Sequence, residues 1–232
     1  MPVRLPKLVL IFLISMQHGC AHRLIISGYE PKILLDAACG ADSPGASLKA
    51  VKGSVWLKAK SNEASGQFPA SVMVTSPAIM RMEIQNLFGG VEAIISVEGN
   101  KYKIEVPNDT GKAHLKETGK DHWGGIPLNL AVDLFLGKLP CPTMSSVRHA
   151  DIEDDQLVIT SNLEERFVYR FEKFMDGFWP DYLHWERYGE RPLSVEFRFY
   201  DPENGTKSPK RWEAKSKLGE IKVRWREREM LR

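Results

Sequence analysis

The stretch Ile79-Met80-Arg81-Met82-Glu83-Ile84, continued by Asn86-Leu87-Phe88-Gly89-Gly90 and then by Val91-Glu92-Ala93-Ile94-Ile95-Ser96-Val97, decides how the rest of the chain is read. Apolar residues recur at every second position in both arms, the period of a strand with one buried face. The six residues between them, Gln85 to Gly90, suffice only for a tight reversal, so the arms pair antiparallel. The same period extends upstream through Val51 to Lys60 and Gly66 to Thr75, and downstream through Tyr102 to Val106. Ala113 to Lys116 offers a further short strand. Strand patterns return at Gln156 to Thr160, Arg166 to Glu172, Leu193 to Tyr200, Arg211 to Lys215 and Glu220 to Trp225, after an aromatic segment holding Phe178, Trp179, Tyr182, Trp185 and Tyr188. About ten or eleven short strands with tight connections predict an antiparallel meander.

One segment breaks the period. Pro127 to Leu136 carries apolar residues at helical spacing, and Gly137 and Pro140 stop it. A helix apolar on most of its surface must be covered, so a curved antiparallel sheet wrapping it fits this order better than a sandwich. The predicted class is therefore mainly β with few helices, an incomplete β-barrel around an apolar interior. Alternation alone does not distinguish a filled interior from an open one.

The N-terminus has its own organisation. Arg4 and Lys7 precede the apolar run Leu8 to Met16, which has the length of a secretory leader and is too short to span a bilayer. Gly19 then places a small residue before Cys20, as in a lipoprotein signal, although Gln17 and His18 depart from the usual small or aliphatic pattern. Residues 1–19 are thus expected to be a signal peptide, with Cys20 lipidated; plain secretory cleavage and an uncleaved anchor are the alternatives. Residues 20–47 are expected to form anchor, tether and a short helix, and residues 48–232 a single domain. Without the two leader cations the chain carries 30 basic and 30 acidic side chains, which gives no reason to expect a nucleic-acid partner. In an exported compartment Cys39 and Cys141 can pair, or remain two buried thiols.

A search for chemistry finds little. Asp121-His122 is the one place in the sequence where a carboxylate adjoins a histidine and so offers a base, and adjacent residues rarely make a catalytic pair. No HExxH, nucleophile elbow, phosphate loop or EF-hand loop is present. The expectation is a non-enzymatic protein without cofactor or metal. Two features ask for a use: a local excess of basic residues over 207–232, and Leu87-Phe88 side by side in a loop. Those two side chains either fold back over an open end of the sheet or project as an apolar tip toward a membrane or an acyl chain.

The residues now in hand resemble the LolB branch of the LolA/LolB superfamily of periplasmic lipoprotein carriers. The resemblance is carried by Arg81 to Glu92, which looks like the family's strand, protruding apolar loop and return strand. It is also carried by Ile126-Pro127-Leu128-Asn129-Leu130 through Phe135-Leu136-Gly137-Lys138-Leu139-Pro140, which looks like its Ile-Pro-Leu helix and Leu-Gly-x-Pro turn. Lys138 is an insertion in that turn, and Leu87 stands where the family commonly has Pro. The resemblance implies a monomer anchored in the bacterial outer membrane and facing the periplasm. It further implies that acyl chains of lipoproteins or lipids enter an apolar cavity with a helical lid, delivered by a periplasmic LolA-like carrier. Trp56, Val72, Ile94, Ile126, Leu130, Leu134 and Phe135 would line or cover that cavity. Leu87, Phe88, Gly89 and Gly90 would form the membrane-insertion loop.

Overall fold

The computed structural model describes residues 24–61, 65–107 and 117–231. The leader at 1–19, Cys20 and the strand expected at 113–116 lie outside them. The chain opens with helix α1 (Pro31–Cys39) and continues into β1 (Ala50–Ser61), β2 (Ser65–Thr75), β3 (Ile79–Gln85), β4 (Val91–Glu98), β5 (Lys101–Glu105) and β6 (Glu117–Lys120). A small hairpin of β7 (His122–Trp123) and β8 (Ile126–Pro127) leads into helix α2 (Leu128–Leu136), which stops at Gly137. Seven strands complete the fold: β9 (Val147–Glu153), β10 (Gln156–Ser161), β11 (Glu165–Phe174), β12 (Gly177–Arg187), β13 (Leu193–Pro202), β14 (Pro209–Ser216) and β15 (Gly219–Leu231).

Thirteen of these strands form one antiparallel sheet, in the order β6-β5-β4-β3-β2-β1-β15-β14-β13-β12-β11-β10-β9. It consists of two meanders joined where the first and last long strands pair, with Leu57 opposite Val223 and Val51 opposite Met230. The sheet is curved and not closed into a barrel. Its inward positions follow the alternation: Val55 and Leu57 on β1, Val72 and Val74 on β2, Met80 and Met82 on β3, Ile95 and Val97 on β4 are all buried. The other half is lined by large rings, with Phe167, Tyr169, Trp185, Phe197 and Trp212 almost without exposure. Helix α2 packs on β1 and β2 and sets Phe135 edge-on against Trp212, with centroids 5.0 Å apart. Burying a side chain of that size contributes about 1.5–3 kcal/mol.

Three sequence expectations need correction. Trp56 lies between Val55 and Leu57 and so faces the convex side, where the Arg226 guanidinium sits 5.9 Å from its ring. Ile94 also faces outward, paired with Glu83 and Glu105, and Ile95 takes the inward place. Residues 24–47 are not a free tether. Ile26 is fully buried, Leu34, Leu35 and Ala38 of α1 enter the core, and Tyr29 meets Phe178 edge-on at 4.8 Å. The backbone N–H groups of Ile26 and Ser27 donate to Asp155 Oδ1 at 3.3 and 3.2 Å. A disulfide between Cys39 and Cys141, with Cα atoms 5.7 Å apart, ties the end of α1 to the segment that follows α2.

Candidate functional site

The β3–β4 turn projects its apolar residues instead of folding them back. Phe88 is 98% and Leu87 81% exposed. What holds them out is Asn86, whose Oδ1 accepts from the backbone N–H groups of Phe88 and Gly90, both at 2.9 Å. Its Nδ2 donates to Glu92 Oε1 at 2.8 Å, and its own N–H donates to the Gly90 carbonyl at 2.8 Å. An Asx turn of this kind substitutes a side-chain acceptor for backbone partners and fixes the loop from within. The glycines are required by it: Gly89 has φ of +85°, and a Cβ at Gly90 would come within 2.8 Å of the Asn86 amide. Keeping Leu87 and Phe88 in water forgoes about 3–6 kcal/mol of burial. A fixed, water-facing apolar tip of this kind marks a surface that something else covers.

At the same end of the sheet the concave face opens into an apolar recess of about 310 Å³. The register explains its position. Leu57 opposes Phe68, and Ala59 opposes both Gly66 and Ile221, so all these residues share the inward face beyond the last helix-covered layer. Trp123 and Ile126 of the β7–β8 hairpin form the opposite wall, and Leu218 stands at the mouth. Gly66 lets the Phe68 ring lie over the strand, since a Cβ there would come within 2.2 Å of that ring. The volume is near the lower bound of sites for small organic ligands, about 300 Å³. Deeper in, the trough is filled by Phe135, Trp212 and their neighbours. Two larger grooves, of about 590 and 510 Å³, are lined mainly by polar and charged strand residues such as Lys52, Arg81, Glu83, Lys101 and Lys103, and do not suit an apolar ligand.

The other expected residues are placed as follows. Val72 on β2 and Leu130, Leu134 and Phe135 on α2 are buried core residues, and Ile126 lines the recess. Asp121 accepts from Asn100 Nδ2 at 3.0 Å, and His122 is exposed beside it. Asp133, the one charged residue of α2, borders a small depression with Cys39, Cys141 and Lys138; burial pushes its carboxyl up to about 6, with the Lys138 ammonium opposing. The sequence reading missed Asn86, Ala59, Phe68, Trp123, Leu218 and Ile221. An Asn before an apolar pair and two glycines was the one local signal available; the recess itself is assembled from residues far apart in the chain.

No protein-family model and no curated protein matches the chain in sequence. Solved structures do resemble it in shape. A LolA-superfamily protein from Nitrosomonas europaea superposes with a TM-score of 0.53 over 88% of this chain and 94% of its own, at 11% identity. The fold is LolA-like. A DUF1329-family protein from Desulfovibrio piger gives a TM-score of 0.52 over 89% of this chain and 92% of its own, at 6% identity. At such identities the likeness concerns the path of the backbone; the LolA-like frame places the 86–90 loop and the recess at one end, and their chemistry is this chain's own.

Proposed function

We propose that this protein binds acyl chains of lipids or lipoproteins in the apolar recess and exchanges them with a bilayer through the Leu87–Gly90 loop. In the fuller form of this reading it is an outer-membrane lipoprotein, anchored through Cys20. It receives acylated proteins from a periplasmic LolA-like carrier and works by binding and release without covalent chemistry. One observation carries the proposal: the exposed Leu87-Phe88 tip and the mouth of the recess lie at the same end of a LolA-like sheet. An acyl chain in water costs about 0.8 kcal/mol for each exposed CH₂. A recess beside a membrane-facing tip shortens the aqueous path over which that cost applies.

The test is to mix the chain from residue 21, which keeps every core residue, with a radiolabelled palmitoylated lipopeptide and to separate the complex by gel filtration. Co-elution is expected, and Ala59→Trp, which places an indole in the recess, should weaken it about tenfold. Absence of co-elution, or binding unchanged in Ala59→Trp, would overturn the reading. The modest recess volume favours a second version, a carrier of free lipid with one chain engaged at a time. Mass spectrometry of organic extracts of the purified protein separates the two, since only that version predicts enriched phospholipid or glycolipid.

A further inference from the structure

The Leu87-Phe88 tip is one of a series. In an antiparallel meander the connections alternate between the two ends of the sheet, so every second turn shares an end with the 86–90 loop. Proceeding along the sheet, these are the turns β5–β6, β3–β4, β1–β2, β14–β15, β12–β13 and β10–β11. The tips of β5–β6 and β1–β2 lie outside the described residues. Each of the other four carries a large, exposed apolar side chain: Leu87 and Phe88, then Leu218, Tyr188 and Leu163, all more than half exposed. The five turns at the opposite end are β2–β3, β4–β5, β13–β14, β11–β12 and β9–β10. Among the residues of these turns only Met175 is of this kind, beside Asp154, Asp155, Asp176 and Glu203, although Ile79 and Leu231 on the adjoining strand ends are also about half exposed.

We infer that this whole end of the sheet, not the 86–90 loop alone, is a rim that rests on a lipid bilayer, with Leu163, Tyr188 and Leu218 as additional contact points; the inference rests on the acyl-exchange reading of the loop. The spacing favours a bilayer over a protein partner. Neighbouring turns at this end stand two strands apart, about 10 Å, so the apolar tips form a row of points and not a continuous patch. The register of the pairs from Glu165↔Arg187 through Val195↔Ser216 and Gly219↔Ser61 to Ala70↔Ile84 steps back toward Phe88, most of it between β1 and β3. The step is about 20 Å over seven strand intervals of about 4.8 Å, close to the stagger of strands tilted in a barrel, so the tips approach one plane across the barrel axis. A membrane surface is the partner that offers such a plane.

Among the described residues the charges in and beside the five turns from β3–β4 to β10–β11 balance, with Lys60, Lys217 and Arg191 against Glu92, Glu164 and Glu190. Binding therefore depends on apolar contact, with Tyr188 suited to the headgroup layer, and needs no anionic lipid. Leu163 and Tyr188 act together, because the Tyr188 N–H donates to the Glu164 carbonyl at 3.0 Å and joins their two turns.

The experiment is flotation of the chain from residue 21 with phosphatidylcholine vesicles at low and high salt. Leu163→Ser, Tyr188→Ser and Leu218→Ser are to be compared, singly and together, with Phe88→Ser and with Met175→Ser from the opposite end. Thermal melting shows whether each variant is folded. Each rim substitution should lower partitioning about threefold and the triple variant about thirtyfold, with little effect of salt and none from Met175→Ser. If Phe88→Ser abolishes flotation while the triple variant floats like the parent, the rim is refuted and the loop stands. No flotation of the parent would remove both. Self-association of the parent that is lost in the triple variant, with flotation unchanged, would assign the rim to a second copy and overturn the inference.

Discussion

Replacing Cys39 and Cys141 together by Ala cuts the one covalent link between the end of α1 and the segment after α2, two points separated by 102 residues of chain. Closing a loop of about 100 residues restricts the unfolded chain by about 4.7 kcal/mol in the chain-entropy description. The native contacts around the bond should largely survive its loss: α1 still buries Leu34, Leu35 and Ala38, and the Tyr169 hydroxyl still donates to the Pro140 carbonyl. The expected destabilisation is therefore about 3–5 kcal/mol, arising mainly in the unfolded state. For a domain of this size, that lowers the melting temperature by about 10–15 °C. Urea titrations followed by tryptophan fluorescence would measure it on the oxidised chain, the reduced chain and the double variant. The last two should coincide. A loss below about 1 kcal/mol would refute the loop-closure reasoning, and new protease cleavage near Gly40 in the folded variant would instead show that the bond holds α1 in place.

Two further substitutions probe the site and the core. Asn86→Ala removes the acceptor that organises the loop; it should change unfolding free energy by less than about 1 kcal/mol yet reduce vesicle partitioning about five- to tenfold, and unchanged partitioning would show that Leu87 and Phe88 act without a fixed geometry. Asp133→Asn tests the buried carboxyl on α2. Because the native group is raised from 3.8 to about 6, the native state holds the proton more tightly than the unfolded chain. Its stabilising contribution is therefore complete below about pH 4 and is lost as pH rises through about 6. The Asn variant should exceed the parent by about 2–3 kcal/mol at pH 7–8, with the gap closing toward pH 4 in urea titrations; a gap independent of pH would reject burial of a charge as the cause.

How much of this was legible in the sequence depends on how local the signal is. The β3–β4 pair was readable because its period and its turn lie within nineteen consecutive residues, 79–97, and α2 because its apolar positions are bounded by Gly137 and Pro140. Trp56 and Ile94 were misplaced by preferring size to phase. Val51, Val55 and Leu57 set the inward phase of β1, and Ala93, Ile95 and Val97 that of β4, leaving Trp56 to pack under Arg226 outside. The integration of residues 24–47 had no local signature: Asp155 and Phe178 hold Ile26, Ser27 and Tyr29, Cys141 holds the end of α1, and the Thr206 carbonyl holds Gly45, all more than 100 residues away. The recess was hidden for the same reason, since Ala59, Trp123 and Ile221 meet only when the first and last strands pair.

That pairing also decides which cover of the trough gives way most readily to a ligand larger than the recess. Displacing α2 would expose Leu128, Leu130, Ala131, Val132, Leu134, Phe135 and Leu136, at about 1.5–3 kcal/mol for each of the larger side chains. Displacing α1 is opposed by the Cys39–Cys141 bond as well as by its own buried residues. The β7–β8 hairpin is two residues to a strand, holds Trp123 only half-buried, and is fastened at its turn by the Ser216 hydroxyl donating to the Gly124 carbonyl at 2.8 Å. One exposed hydrogen bond contributes about 1 kcal/mol, and re-exposing Ile126 and the covered half of Trp123 adds about 3–4 more. The lowest-cost enlargement is thus at the hairpin, which borders the recess and lies at the rim, so binding and membrane contact meet at one end while the disulfide-tied helices stay in place.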